Sequence, residues 1–141
     1  MDNFAINKFS EKTLILLKKG IEVNNKRYQV IANNIANADT PGFKRSNVVF
    51  EAQLKRAFES EKNQSLQANI TNERHIPFKI PINWKDVKPN IVLDYASSMR
   101  NDGNNVDIDR ETTELSKTTM VYSAILDLLK HDYNLINLVL K

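Results

Sequence analysis

The side chains that could carry out chemistry are few and widely separated in this sequence of 141 residues. His75 and His131 are the only histidines, and neither has a second potential ligand at metal-binding spacing. Cysteine is absent, which excludes disulfides, thiol catalysis and zinc sites of the CxxC kind. The three glycines lie too far apart to form a loop that cradles phosphate. We therefore expect no enzymatic activity and no cofactor.

One acidic run, residues 102–109, invites comparison with a calcium-binding loop. Counted from Asp102, the sixth position is Asp107 where an EF-hand needs Gly, and the twelfth is Thr113 where it needs Glu. The pattern fails, so no metal site is expected. Asp107 and Asp109 are good capping residues, and with Glu111 in the first turn they predict the start of a helix.

The charge distribution does not indicate a nucleic-acid partner. The net charge is +3, with ten basic and six acidic residues in 1–60, six and five in 61–103, and four and six in 104–141. The basic pairs are scattered and are typical of solvated helix faces. The longest early apolar run is 14–17, far short of the roughly 20 residues that span a bilayer. We expect no membrane insertion and no cleaved leader.

Glycine and proline are scarce and unevenly placed. Only Gly20 precedes Pro41, neither residue type follows Gly103, and three prolines crowd the segment 77–89. Because proline stops helices and glycine weakens them, long helices are permitted at the two ends and excluded from the centre. The predicted fold is mainly α, with two long terminal helices that pair as a coiled coil.

The first helix is predicted from about Ser10, as its N-cap, to Asn37, roughly 40 Å at 1.5 Å per residue. A 3-4 alternation gives it one narrow apolar seam in which only Asn24 is polar. We expect the apolar seam residues to pack on the C-terminal helix. They are Leu14, Leu17, Ile21, Tyr28, Ile31 and Ile35.

The C-terminal helix carries a similar line and an excess of apolar surface beside it. The line runs through Thr119, Tyr122, Leu126, Leu129, Tyr133, Ile136 and Leu140. One partner helix does not cover this surface, so either a third helix of the same chain buries it or other subunits do. We expect other subunits to cover the distal strip, defined as Leu135, Ile136, Leu138 and Val139.

Between the helices the strongest local signal is the turn of residues 39–43. Pro41 suits the second position of a type II turn, and Gly42 suits the third, which needs a positive φ. A short third helix is predicted from about Ser46 to Ser60 and a short strand at 91–93. The divisions expected are 1–60, an irregular and partly disordered insertion at 61–102, and an assembly helix at 103–141, all in one structural unit.

Residues 32–45, Ala-Asn-Asn-Ile-Ala-Asn-Ala-Asp-Thr-Pro-Gly-Phe-Lys-Arg, closely resemble the N-terminal signature of bacterial flagellar axial proteins, the family of rod, hook and related subunits. Residues 104–111, Asn-Asn-Val-Asp-Ile-Asp-Arg-Glu, followed by Leu115 and Tyr122, are similar to the C-terminal region of its small proximal-rod members. The sequence departs from the family pattern at Thr112 and Thr118.

The resemblance implies a structural subunit of the proximal rod of the flagellar basal body, needed for motility. Such subunits leave the cytoplasm through the flagellar type III export apparatus and transmit torque across the periplasm to the distal rod and hook. The implied partners are further copies, other rod proteins, the ring-to-rod adaptor and the MS ring. Other small members of the same machine, or a helical export chaperone, are alternatives.

The resemblance also implies contact residues in the signature turn, defined as residues 39–43. This turn would reach an adjacent subunit, with Phe43 buried and with Lys44 and Arg45 at the rim. The implied contact residues are Asn34, Asn37, Asp39, Thr40, Pro41, Gly42 and Phe43.

Overall fold

The computed structural model describes residues 2–62, 72, 82–96 and 100–139 and is mainly helical. In chain order the elements are α1 (Asp2–Ala36), β1 (Ser46–Val49), α2 (Glu51–Lys62), a 3-10 helix (Trp84–Asp86), β2 (Asn90–Leu93) and α3 (Ile108–Val139). The predicted fold class is confirmed: two long terminal helices pack against each other, and a shorter helix lies between them in the sequence.

Two boundaries predicted from sequence are wrong. Ser10 does not cap the first helix, because α1 begins at Asp2 and continues without a break through Ser10. The segment from Ser46 to Val49 is a strand and not the start of the third helix, which begins at Glu51. The side chain of Asn34 binds both the backbone amide and the carbonyl of Ser46, which removes these groups from helical bonding.

Three other local predictions are confirmed. Asp107 caps α3, because its Oδ1 accepts from the backbone amides of Asp109 and Arg110 at 3.0 and 3.2 Å. Gly42 has a φ of 72°, and the Phe43 amide donates to the Thr40 carbonyl at 3.3 Å, as the turn requires. The strand expected at 91–93 is β2.

The chain divides into two units. The first comprises 1–48 and 92–141, so that the two ends of the sequence form one body. Gly20 marks a close approach of its helices, because a Cβ at that position would lie 3.0 Å from Cδ1 of Ile125. The amide of Asp94 donates to the carbonyl of Arg45 at 2.8 Å, so the paired strands β1 and β2 run antiparallel.

The second unit, 49–91, has a small aromatic core. Phe58 on α2 stacks on Trp84 with ring centroids 5.8 Å apart. The Asn83 side chain accepts from the amide of Lys85 and so caps the 3-10 helix that carries Trp84. Among the described residues of this unit, the buried apolar ones are Phe50, Ala57, Trp84 and Val87.

Candidate functional site

Asn34, in the last turns of α1, joins three elements of the first unit. Its Oδ1 accepts from the Ser46 amide at 3.0 Å, and its Nδ2 donates to the Ser46 carbonyl at 2.9 Å and to Oε2 of Glu111 at 3.0 Å. The side chain is fully buried. One amide therefore ties α1 to β1 and to the first turn of α3.

Arg45 and Glu111 form a buried ion pair beside Asn34. The guanidinium Nε donates to Oε1 of Glu111, and both residues are buried. Arg45 therefore does not lie at the rim of the turn, as the resemblance had implied. Glu111 projects from the first turn of α3 into the interior, where an unpaired carboxylate would be costly, so a cation must accompany it. The backbone amide of Arg45 is held by Oδ1 of Asn105 at 2.7 Å.

Asn104 anchors the signature turn on the segment that precedes α3. Its Nδ2 donates to the carbonyls of Asn37, Ala38 and Thr40 at 3.0, 2.9 and 2.9 Å. Its Oδ1 accepts from the amide of Val106 at 2.7 Å. These three carbonyls lie just beyond the end of α1, and each also accepts a second hydrogen bond, from the amide of Thr40, from Nη1 of Arg100 and from the amide of Phe43 respectively. We call Asn34, Arg45, Asn104, Asn105 and Glu111 the polar cluster.

Two charged side chains next to the polar cluster, Arg100 and Lys44, also stabilise the signature turn through hydrogen bonds. Arg100 Nη1 donates to the Ala38 carbonyl at 2.9 Å and to Oδ1 of Asp39 at 3.0 Å. The hydrogen bond with Asp39, followed by the charge of Asp102, raises the pKa of Arg100. Lys44 Nζ donates to the Gly103 carbonyl at 2.7 Å.

The signature turn itself is left accessible. Asp39, Thr40, Pro41 and Gly42 are exposed, and Phe43 is half-buried. The backbone of the turn is held from one side by 100–104, and its outer surface faces solvent. That surface is available to another molecule, as a contact with an adjacent subunit requires.

Sequence reasoning missed most of the polar cluster. It named Asn34, but it assigned Glu111 only to a helix start and Arg45 to a solvated rim. The available signal was that both motifs are rich in side-chain amides, 32–37 in one and 104–105 in the other, and that the first motif ends on basic Arg45 and the second on acidic Glu111. Side-chain amides near helix ends can hydrogen-bond to the backbone groups that have no partner within the helix.

The residues of the predicted apolar seam on α1 differ in burial. Ile31 is buried, while Leu14, Leu17, Ile21 and Ile35 are half-buried. Tyr28 is 56% exposed, whereas Val23 and Val30 beside the predicted line are buried. The inward stripe is thus displaced by about one residue from the predicted alternation.

The α3 seam shows the same displacement. Tyr122 and Leu129 are half-buried as part of an inward line that includes Thr118 and Ile125, whereas Leu126 and Tyr133 are exposed. Thr118, where the sequence departs from the family pattern, is buried, and its hydroxyl donates to the Glu114 carbonyl at 2.7 Å.

The distal strip lies open in the single chain. Leu135 and Ile136 are exposed, and Leu138 is 76% exposed; the side chain of Val139 is outside the described residues. Further apolar side chains on α3 are exposed as well: Met120, Val121, Leu126, Leu128 and Tyr133. No described element of the first unit covers this surface, and contiguous apolar surface of this kind marks an interaction site.

The described residues contain no group of His, Asp or Glu that could hold a metal ion. His131 is exposed on α3, and His75 lies outside the described residues. Among the helices that the structure describes, none combines the length and apolarity needed to cross a membrane.

The paired terminal helices and the anchored turn define a class of helical structural protein. Comparison with known proteins identifies its family. A family model described as "Flagella basal body rod protein" matches residues 24–44, which cover the last third of α1 and the signature turn. The flagellar basal body rod protein FlgB of Borrelia hermsii is 41% identical over 93% of this chain and 97% of its own. FlgB of Borreliella burgdorferi is 39% identical over the same shares, and FlgB of Bacillus subtilis is 34% identical over 81% of each chain.

The chain belongs to the FlgB family of flagellar basal body rod proteins. This is a family of structural proteins and not of enzymes. The matched segment 24–44 contains Asn34 and the turn that Asn104 anchors.

Proposed function

We propose that this protein is a structural subunit of the proximal rod of the flagellar basal body, that it assembles through its terminal helices, and that it is required for motility. The rod would transmit torque from the membrane ring to the distal rod and hook. The observation that carries the proposal is the distal strip, a run of large apolar side chains at the end of α3 that lies exposed in the single chain.

The partners follow from the same surface. Distal strips would pack against helices of further copies and of other rod proteins, and the signature turn would reach an adjacent subunit. The proposed setting also includes the ring-to-rod adaptor, the MS ring and the flagellar type III export apparatus, with no cleaved signal peptide and a position across the periplasm.

The polar cluster suits a subunit under load. A rod that transmits torque needs helices whose relative positions do not change, and buried ion pairs with satisfied hydrogen bonds favour one arrangement over its alternatives. Asn34, Arg45 and Glu111 connect α1, β1 and α3 of the same body. The cluster would therefore hold the packing surfaces in constant relation within each subunit.

The test is recovery of the protein in purified basal bodies and swimming of the strain that produces it. A chain with Leu135→Ser and Leu138→Ser keeps its fold, since both side chains are exposed, but should be absent from basal bodies and fail to restore swimming. Asn134→Ser with Asn137→Ser, exposed on the same turns of α3, is the matched control and should assemble. A protein found only in the cytoplasm, bound to an export substrate, would instead indicate a chaperone.

A further inference from the structure

Asn24 is a buried polar residue whose side-chain amide is only partly satisfied by the described residues. The residue is 4% exposed and lies on the inward stripe of α1. Its Nδ2 donates to the carbonyl of Gly20 at 2.8 Å, whereas its Oδ1 is buried and has no hydrogen-bond partner among the described residues. An unpaired buried carbonyl weakens folding, so leucine at this seam position would serve the isolated chain better.

A notch between α1 and α3 lies beside this amide. It has a volume of about 250 Å³, room for one long side chain, and its lining residues are Asn24, Asn25, Tyr28, Thr118, Thr119 and Tyr122. Asn24 is itself one of these lining residues, so its side chain forms part of the notch wall.

The polar groups that line the notch are mainly hydrogen-bond acceptors, so they favour a ligand that donates hydrogen bonds. The hydroxyls of Thr118 and Thr119 donate to the carbonyls of Glu114 and Leu115 at 2.7 and 2.9 Å, so only their lone pairs remain. Together with Oδ1 of Asn24 they form a set of acceptors, and the remaining polar groups of the lining act either way. Two tyrosine rings in the wall favour a cation with an aliphatic stem.

We propose that this notch receives a lysine side chain from α1 of a second copy of the chain. Charge supports a second copy as the source: α1 carries six basic and three acidic residues, whereas α3 carries three basic and five acidic ones. Lys18 and Lys26 are exposed on α1 and can reach outward. Met120 and Val121, which lie between the lining residues Thr119 and Tyr122 in sequence, are exposed apolar side chains that a neighbouring helix would cover. The inference rests on the proposed self-assembly.

The inference predicts effects of opposite sign from one substitution. Asn24→Leu removes the unpaired carbonyl, so it should raise the midpoint of thermal unfolding of the isolated subunit. It also removes an acceptor for the incoming lysine, so the dissociation constant for self-association, measured by sedimentation equilibrium, should increase at least about tenfold. Asn33→Leu, a matched change at an exposed position of α1, should leave self-association unchanged.

The contact itself is mapped by replacing Tyr28 with the photo-crosslinking residue benzoylphenylalanine. Irradiation should give a crosslinked dimer whose joined peptide contains Lys18 or Lys26. Self-association that Asn24→Leu leaves unchanged, or crosslinks that join Tyr28 only to peptides of α3, would overturn the inference. A wild-type chain that stays monomeric would overturn it too, whereas the proposed function is judged separately by recovery in basal bodies.

Discussion

Nε of Arg45 and Oε1 of Glu111 form an ion pair between side chains that are 7% and 0% exposed and 66 residues apart in sequence. One ion follows the signature turn and the other lies in the first turn of α3. The pair therefore joins the two sequence motifs by which the chain resembles flagellar axial proteins, and it does so inside a single subunit. Because both ions are buried, we expect a large loss of stability when one of them is removed.

Glu111→Gln should destabilise the chain by about 3 kcal/mol, because it leaves the Arg45 cation buried without a counter-charge. The free energy of unfolding, from urea denaturation followed by circular dichroism, measures the loss. Glu114→Gln removes a partly exposed carboxylate one turn further along α3 and should change it by less than about 1 kcal/mol. Equal effects of the two substitutions would show that the ion pair does not hold the helices.

Replacing both ions should restore much of the stability that either single substitution loses. Arg45→Met with Glu111→Leu removes both buried charges and keeps similar volume, so the double variant should be more stable than either single variant. The double-mutant cycle gives a coupling free energy, expected to be about 2 kcal/mol or more. Additive losses would mean that the two side chains act independently.

Asn104→Ala should destabilise the chain by about 2 kcal/mol, because it removes the hydrogen bonds that its side chain makes to the carbonyls of Asn37, Ala38 and Thr40, although each carbonyl keeps a second donor. Asn104→Asp keeps the shape but places a carboxylate opposite three carbonyl oxygens, so it should be at least as destabilising at neutral pH. Asn101→Ala, at an exposed position nearby, is the control and should be close to neutral. Thermal unfolding of the three variants provides the comparison.

Gly42→Ala should destabilise the signature turn by about 1 kcal/mol, since the φ of 72° disfavours a side chain. A Cβ at this position would meet nothing within 4 Å, so the loss would come from the backbone alone. Gly42→Asn should cost less, because asparagine tolerates this conformation. Urea denaturation of the pair tests the order, and a larger loss for asparagine would point to a steric cause instead.

Glu114 provides a pH-dependent prediction. The hydrogen bond from Lys117, 2.9 Å long, lowers the pKa of the Glu114 carboxyl. Because the folded pKa lies below the unfolded one, the stabilisation is present above the unfolded pKa and is lost as pH falls through the folded pKa. Lys117→Met should raise the pKa of Glu114 toward its ordinary value in an NMR titration. Lys117 is largely exposed and Glu114 is partly exposed, so solvent screens the pair and stability should change by less than about 0.5 kcal/mol.

Much of the architecture follows from local sequence. The absence of proline and glycine after Gly103 and the capping aspartate at 107 were sufficient to predict α3, and Pro41 with Gly42 predicted the turn. The boundary at Ser46 was not predictable in this way, because a side chain twelve residues earlier holds both of its backbone groups. Helix propensity is a local property, so it does not include a side chain that tertiary structure brings in to compete for the backbone hydrogen bonds.

The sequence by itself determined the elements, the surplus of apolar surface on α3 and the family signature, because these depend on residue type and on spacing along the chain. Only the tertiary structure decided that Arg45 faces inward to Glu111 and that the amide of Asn104 reaches the end of α1. It also decided that Oδ1 of Asn24 has no hydrogen-bond partner among the described residues. Hydrogen bonds between groups more than 60 residues apart depend on how two helices are placed side by side, and local periodicity carries no record of that placement.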